Sequence, residues 1–140
     1  MSGAVVLDTN VLLSGLKSNR GCSYKILELL PDKRFTVCVS VPLILEYELV
    51  LLKFRESIGM SESDITSVLD YLCLVGRKTN IYYLWRPFLK DPFDDHILEV
   101  AVSSKSNYIV THNTKDFQNV DQFGIRALSP KEFLEEEKLI

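Results

Sequence analysis

The sequence predicts an α/β fold: a three-layer α/β/α sandwich with a central parallel sheet of four to five strands. Three observations lead there. Short apolar runs rich in β-branched residues alternate with segments of helical periodicity. The strand-like runs are apolar throughout rather than on every second residue, as in a sheet covered on both faces. No internal repeat, linker or low-complexity stretch divides the 140 residues, so residues 1–140 are expected to form one domain.

Each element has a local reason. Ala4-Val5-Val6-Leu7 is the first strand and stops at Asp8-Thr9-Asn10. Val11, Leu12 and Leu13 open a helix expected to end near Gly15. A second helix, Ser23 to Leu30, carries Ile26, Leu27 and Leu30 on one face and ends at Pro31-Asp32. Phe35 to Val39 is the second strand. Ser40 suits an N-cap and Pro42 a first turn, so a helix is expected from Pro42 to Glu56, broken by Gly59. Ser61 and Asp64 have capping-box spacing before a helix bearing Ile65, Val68, Leu69 and Leu72. Ile81 to Leu84 is a weak third strand, and Arg86 to Phe93 a loop. Asp94 opens a helix through Ser103. Tyr108 to Thr111 and Ile125 to Leu128 are further strands, and Ser129-Pro130 starts a last helix with Phe133 and Leu134.

Composition excludes several classes. Hydrophobic residues make up 46% and charged residues 25%, an ordinary globular balance that disfavours disorder. No apolar run approaches the roughly 20 residues of a membrane span, and the N-terminus lacks a signal peptide's basic start. Cys22, Cys38 and Cys73 lack the spacing of a zinc site or disulfide framework, which suits a reducing cytoplasm. Sixteen basic residues against nineteen acidic give a net charge of −3, contrary to a general nucleic-acid coat.

Acids fall where a parallel sheet places its sites, beyond the carboxyl ends of the strands. Asp8 follows the first strand. Glu46 lies early in the helix after the second, Asp94 and Asp95 begin the helix before the fourth, and Asp116 follows the fourth. Carboxylates gathered in one cleft repel each other unless a cation compensates. Oxygen-only ligands select Mg²⁺ or Mn²⁺, which serve phosphoryl chemistry. Each acid also has a plainer role: capping for Asp8, dipole stabilisation for Asp94 and Asp95, a turn for Asp116. Glu46 and Glu48 have equally apolar neighbours, so periodicity does not choose between them. His96 reads as a partly exposed helix residue near the cleft, and neither it nor His112 has a partner at zinc-site spacing.

Four segments, in order, resemble the PIN-domain family: Val5 to Leu12, Val39 to Tyr47, Asp91 to Ala101, and Tyr108 to Phe117. The branch most resembled is the VapC-like toxin branch of toxin–antitoxin pairs. The resemblance implies a metal-dependent ribonuclease acting on single-stranded RNA, leaving 5′-phosphate and 3′-hydroxyl ends. Carried over by position, Asp8, Glu46, Asp94 and Asp116 become the acidic quartet and the metal ligands. Glu46 is taken over Glu48, and Asp94 over Asp95 because it lies seven residues before Ala101. Thr9 and Asn10 are expected to orient Asp8, with Ser40, Asp95, Thr111 and Asn113 in supporting positions. Asn113 departs from the family, many of whose members carry an acid there. An antitoxin protein and a homodimer are the partners implied. The apolar residues of Pro42–Phe54 also run most of the way round their helix, more than one buried face needs. Of the nearby cations Lys17, Arg20, Lys53, Arg55, Lys90 and Lys115, some could contact RNA, and most read as solvated surface. The alternative to an enzyme is a catalytically weak PIN-like module that binds RNA or protein.

Overall fold

The computed structural model describes residues 3–81, Leu89 and residues 92–140. Its strands are β1 (Gly3–Leu7), β2 (Phe35–Val39), β3 (Arg77–Lys78), β4 (Tyr108–Val110) and β5 (Arg126–Leu128). They form one parallel sheet in the order β3-β2-β1-β4-β5. The register sets Val5 opposite both Val37 and Tyr108. Val5, Val6, Val37, Ile109 and Val110 are almost wholly buried. Each such side chain contributes about 1.5–3 kcal/mol of transfer free energy.

Among the described residues there are seven α-helices: α1 (Thr9–Lys17), α2 (Cys22–Leu29), α3 (Val41–Lys53), α4 (Arg55–Ile58), α5 (Glu62–Val75), α6 (Pro92–Ser103) and α7 (Pro130–Glu136). The chain steps from β1 to β2 to β3 in one direction and then reaches β4 and β5 on the other side of β1. Right-handed crossovers therefore place α6 on the face opposite the earlier helices. The strand order reverses between β1 and β4, and such a switch point opens a crevice at the carboxyl ends of the strands.

Helix α3 carries the second expected site acid, and its start is firmly set. Ser40 Oγ accepts from the backbone N–H of Leu43 at 3.2 Å, with Pro42 in the first turn. Leu43, Tyr47 and Leu51 recur every fourth residue and are buried. The expected continuous helix to Glu56 is instead two pieces. The chain leaves helical geometry at Phe54 and resumes as α4, which ends on Gly59 at φ +68°. Ser61 and Asp64 form both bonds of a capping box, at 3.0 and 3.1 Å.

The sheet also has an edge strand that the sequence reading lacks. β3 pairs Arg77 and Lys78 with Cys38 and Val39. Of the expected strand Ile81 to Leu84, residues 82–84 lie outside the described residues, as does most of the expected loop 86–93. A two-residue, charged, exposed edge strand carries no apolar signature, so periodicity does not register it. Gly76, just before it, lets α5 meet the sheet. A Cβ there would lie 2.6 Å from Leu72 O and 3.2 Å from Val37 O.

Candidate active site

Asp8 leaves β1 at the switch point and caps α1. Its Oδ1 accepts from the backbone N–H of Thr9 at 2.7 Å, and its Oδ2 from the Thr111 hydroxyl at 2.7 Å. Thr111, at the end of β4, is fully buried. Its Oγ1 also accepts from the backbone N–H of Asn113 at 3.0 Å. One hydroxyl thus ties the ends of the two strands that flank the crevice.

Glu46 approaches from α3. Its Oε2 accepts a short hydrogen bond from the Thr9 hydroxyl, and its Oε1 faces His96 Nε2 at 2.7 Å. His96 stands on α6 and is 14% exposed, so the histidine lies at the cleft and is bonded into it. Tyr47, the next residue on α3, donates from its hydroxyl to Leu7 O at 2.5 Å. That bond fixes α3 against the end of β1, one residue before Asp8. Neither the His96 contact nor the Tyr47 contact was foreseen, because each joins residues on different elements. A tyrosine beside an acid in an otherwise apolar helix was the one available hint.

The charges behave as a crowded pair. Burial pushes the Asp8 carboxyl above its ordinary value, the negative charge of Glu46 adds to this, and the Thr111 and Thr9 bonds only partly oppose it. Burial also acts to raise Glu46, but its bonds to His96 and Thr9 outweigh that and hold it below the usual value. Burial first, then the fields of Asp8 and Glu46, drives the Tyr47 hydroxyl well above its normal range. Two nearby carboxylates pushed in opposite directions are a pattern met at functional sites.

The remaining expected residues are placed as follows. Asn10 bonds not to Asp8 but toward β4, accepting from the backbone N–H of His112 at 3.2 Å. Ser40 serves the α3 cap. Asp94 lies half-buried in the first turn of α6. Asp95 is fully buried and accepts from the Leu89 N–H at 2.8 Å, so it holds the segment entering α6. Asn113 is exposed and precedes a 3₁₀ turn, Thr114–Phe117, that contains the half-buried Asp116. No bond joins Asp116 to Asp8 or Glu46. Lys17, Arg20, Lys53, Arg55 and Lys115 are exposed; Arg55 pairs with Glu62 at 3.1 Å, and Lys90 lies outside the described residues.

The donor set suits a hard cation. It is made of carboxylate oxygens, and burial together with mutual repulsion leaves Asp8 in need of positive charge. Asp8 and Glu46 are brought together through Thr9. Among the described residues no group of three or more His, Cys, Asp or Glu side chains is arranged to hold a metal ion.

An α/β sheet with paired acids at its switch point defines a class of protein whose chemistry sits at the strand ends. The family follows from comparison: the PIN domain family model matches residues 4–115, and the chain belongs to that family. It is also similar in fold to the crystal structure of VapBC2 from Rickettsia felis bound to a DNA fragment from their promoter. The TM-score is 0.61 at 17% identity, covering 89% of this chain and 98% of that one. No curated protein matches the sequence.

Proposed function

We propose that this PIN-domain protein is a divalent-metal-dependent nuclease that cuts single-stranded RNA as the cytoplasmic toxin of a type II toxin–antitoxin pair. The observation that carries the reading is the Asp8–Glu46 pair at the switch point, joined through Thr9, in which Asp8 is buried and its pKa is pushed up by burial and by the charge of Glu46. Asp8 and Glu46 would hold Mg²⁺ or Mn²⁺, with Asp94 and Asp116 completing the acidic set. When bound, the ion would lower the pKa of an attacking water and offset charge on the phosphodiester. Thr111 and Thr9 fix both oxygens of Asp8, so that carboxylate need not reorganise as charge develops.

The antitoxin and a second copy need separate surfaces. An apolar cavity of about 280 Å³ between α1, α2 and α5, lined by Leu12, Leu16, Leu27, Val68 and Tyr71, contains none of the site residues and could receive an antitoxin segment. Val41, Leu45 and Leu49 form an exposed apolar stripe along α3, at 74, 54 and 69% exposure, suited to a homodimer contact.

A second reading, a binding module with weak catalysis, draws on Asn113, a neutral amide that adds no charge at that position. Two measurements decide. Purified protein with Mn²⁺ should cut single-stranded RNA in preference to DNA or a phosphomonoester, and Asp94→Asn should slow this roughly 100-fold or more. A calorimetric titration showing no Mn²⁺ binding at millimolar concentration, with RNA or protein binding retained, would favour the module.

A further inference from the structure

His96, on α6, reaches the Asp8–Glu46 pair through Glu46. An ionised Glu46 can only accept, so the 2.7 Å contact places the proton on His96 Nε2, directed at Oε1. The opposite ring nitrogen, Nδ1, is buried and has no hydrogen-bond partner among the described residues. Among the described residues, the ring's polar attachment is Glu46. The other oxygen of that carboxylate is held by Thr9, the residue that also donates its backbone N–H to Asp8. Glu46 is thus gripped from two sides, by α1 through Thr9 and by α6 through His96.

A carboxylate on a helix can swing about three side-chain bonds, and Thr9 alone fixes only one oxygen. We propose that His96 is a positioning residue: its Nε2–H holds the Glu46 carboxylate toward Asp8, so that the two acids bind a divalent cation as one unit. This rests on the metal-dependent reading above. A residue that orients a ligand without touching the ion changes metal affinity by about 10–100-fold when it is lost.

The test compares side chains that differ in reach. Gln places an amide nitrogen as far along the side chain as Nε2, whereas the amide of Asn stops one bond short and Leu carries no donor. Mn²⁺ affinity of the metal-free protein, read by calorimetry, should stay within about threefold of wild type in His96→Gln. It should fall at least tenfold in both His96→Asn and His96→Leu. In a Glu46→Ala background, His96→Leu should weaken Mn²⁺ binding by no more than about threefold further, since the group it acts through is gone. Equal affinity in wild type and in a folded Asn or Leu variant would overturn the proposal. So would equal losses in Gln, Asn and Leu, or an undiminished effect in the Glu46→Ala background. Wild-type protein that binds no Mn²⁺ would instead overturn the metal-dependent reading itself.

Discussion

At the residue scale, Asp8 carries a cost in stability. Its folded-state pKa lies above its unfolded one, so the folded protein holds the extra proton between those two values. Stability therefore falls as pH rises through that window, and the full cost is present above it. Asp8→Asn removes the charge and keeps a good N-cap. The variant should melt higher than wild type at pH 7 without metal, while losing Mn²⁺ binding. Glu46 is the reverse case. Its depressed pKa contributes stability present above its unfolded value and lost as pH falls through the folded one. Glu46→Gln should therefore melt lower than wild type at pH 7. Thermal melts monitored by circular dichroism, with metal removed, would check both signs. These residues were partly legible in sequence. Asp8 lies at a strand end and was a candidate from position alone. Glu46 could not be separated from Glu48 by periodicity, since both have apolar neighbours; only the resemblance chose it. His96 was legible as a partly exposed helix residue near the cleft; its bond to Glu46, and that of Tyr47 to Leu7, escaped because the partners lie 50 and 40 residues away.

At the scale of elements, helix α3 does two jobs with two faces. Leu43, Tyr47 and Leu51 bury one face in the core, whereas Val41, Leu45 and Leu49 leave an apolar face outside. Leu51→Ala should cost about 2–5 kcal/mol, read as a lowered urea midpoint. Leu49→Asp should leave the fold intact by circular dichroism and convert a dimer to a monomer in light scattering. A monomeric wild type would remove the second-copy role from this face. The surplus of apolar residues on α3 was visible in sequence, and so were its cap at Ser40 and the capping box at Ser61. The break at Phe54 was not, because no Gly or Pro marks it. Strand β3 was not visible for a similar reason: Arg77 and Lys78 pair through the backbone and carry no apolar side chain.

At the scale of the whole molecule, the net charge of −3 is not evenly spread in its effect. Some of the acid lies in one crevice, where burial and the charge of Glu46 disfavour an ionised Asp8, a penalty that a bound cation would relieve. The protein should therefore bind RNA weakly in EDTA and more tightly with Mn²⁺, as read by fluorescence anisotropy at a temperature low enough to suppress cleavage. The parallel sheet was legible because buried strands read as continuous apolar runs. The switch point was not, since strand order depends on contacts remote in sequence; once β1 is seen between β2 and β4, the position of Asp8 acquires its meaning.

Cleavage of a single-stranded RNA by wild type and by Asp8→Asn, each with Mn²⁺ and with EDTA, tests the central claim most directly. Cutting by wild type with Mn²⁺ alone, and loss of roughly 100-fold or more in Asp8→Asn, is the predicted result. Cutting that persists in EDTA, or that survives intact in a folded Asp8→Asn protein, would contradict it.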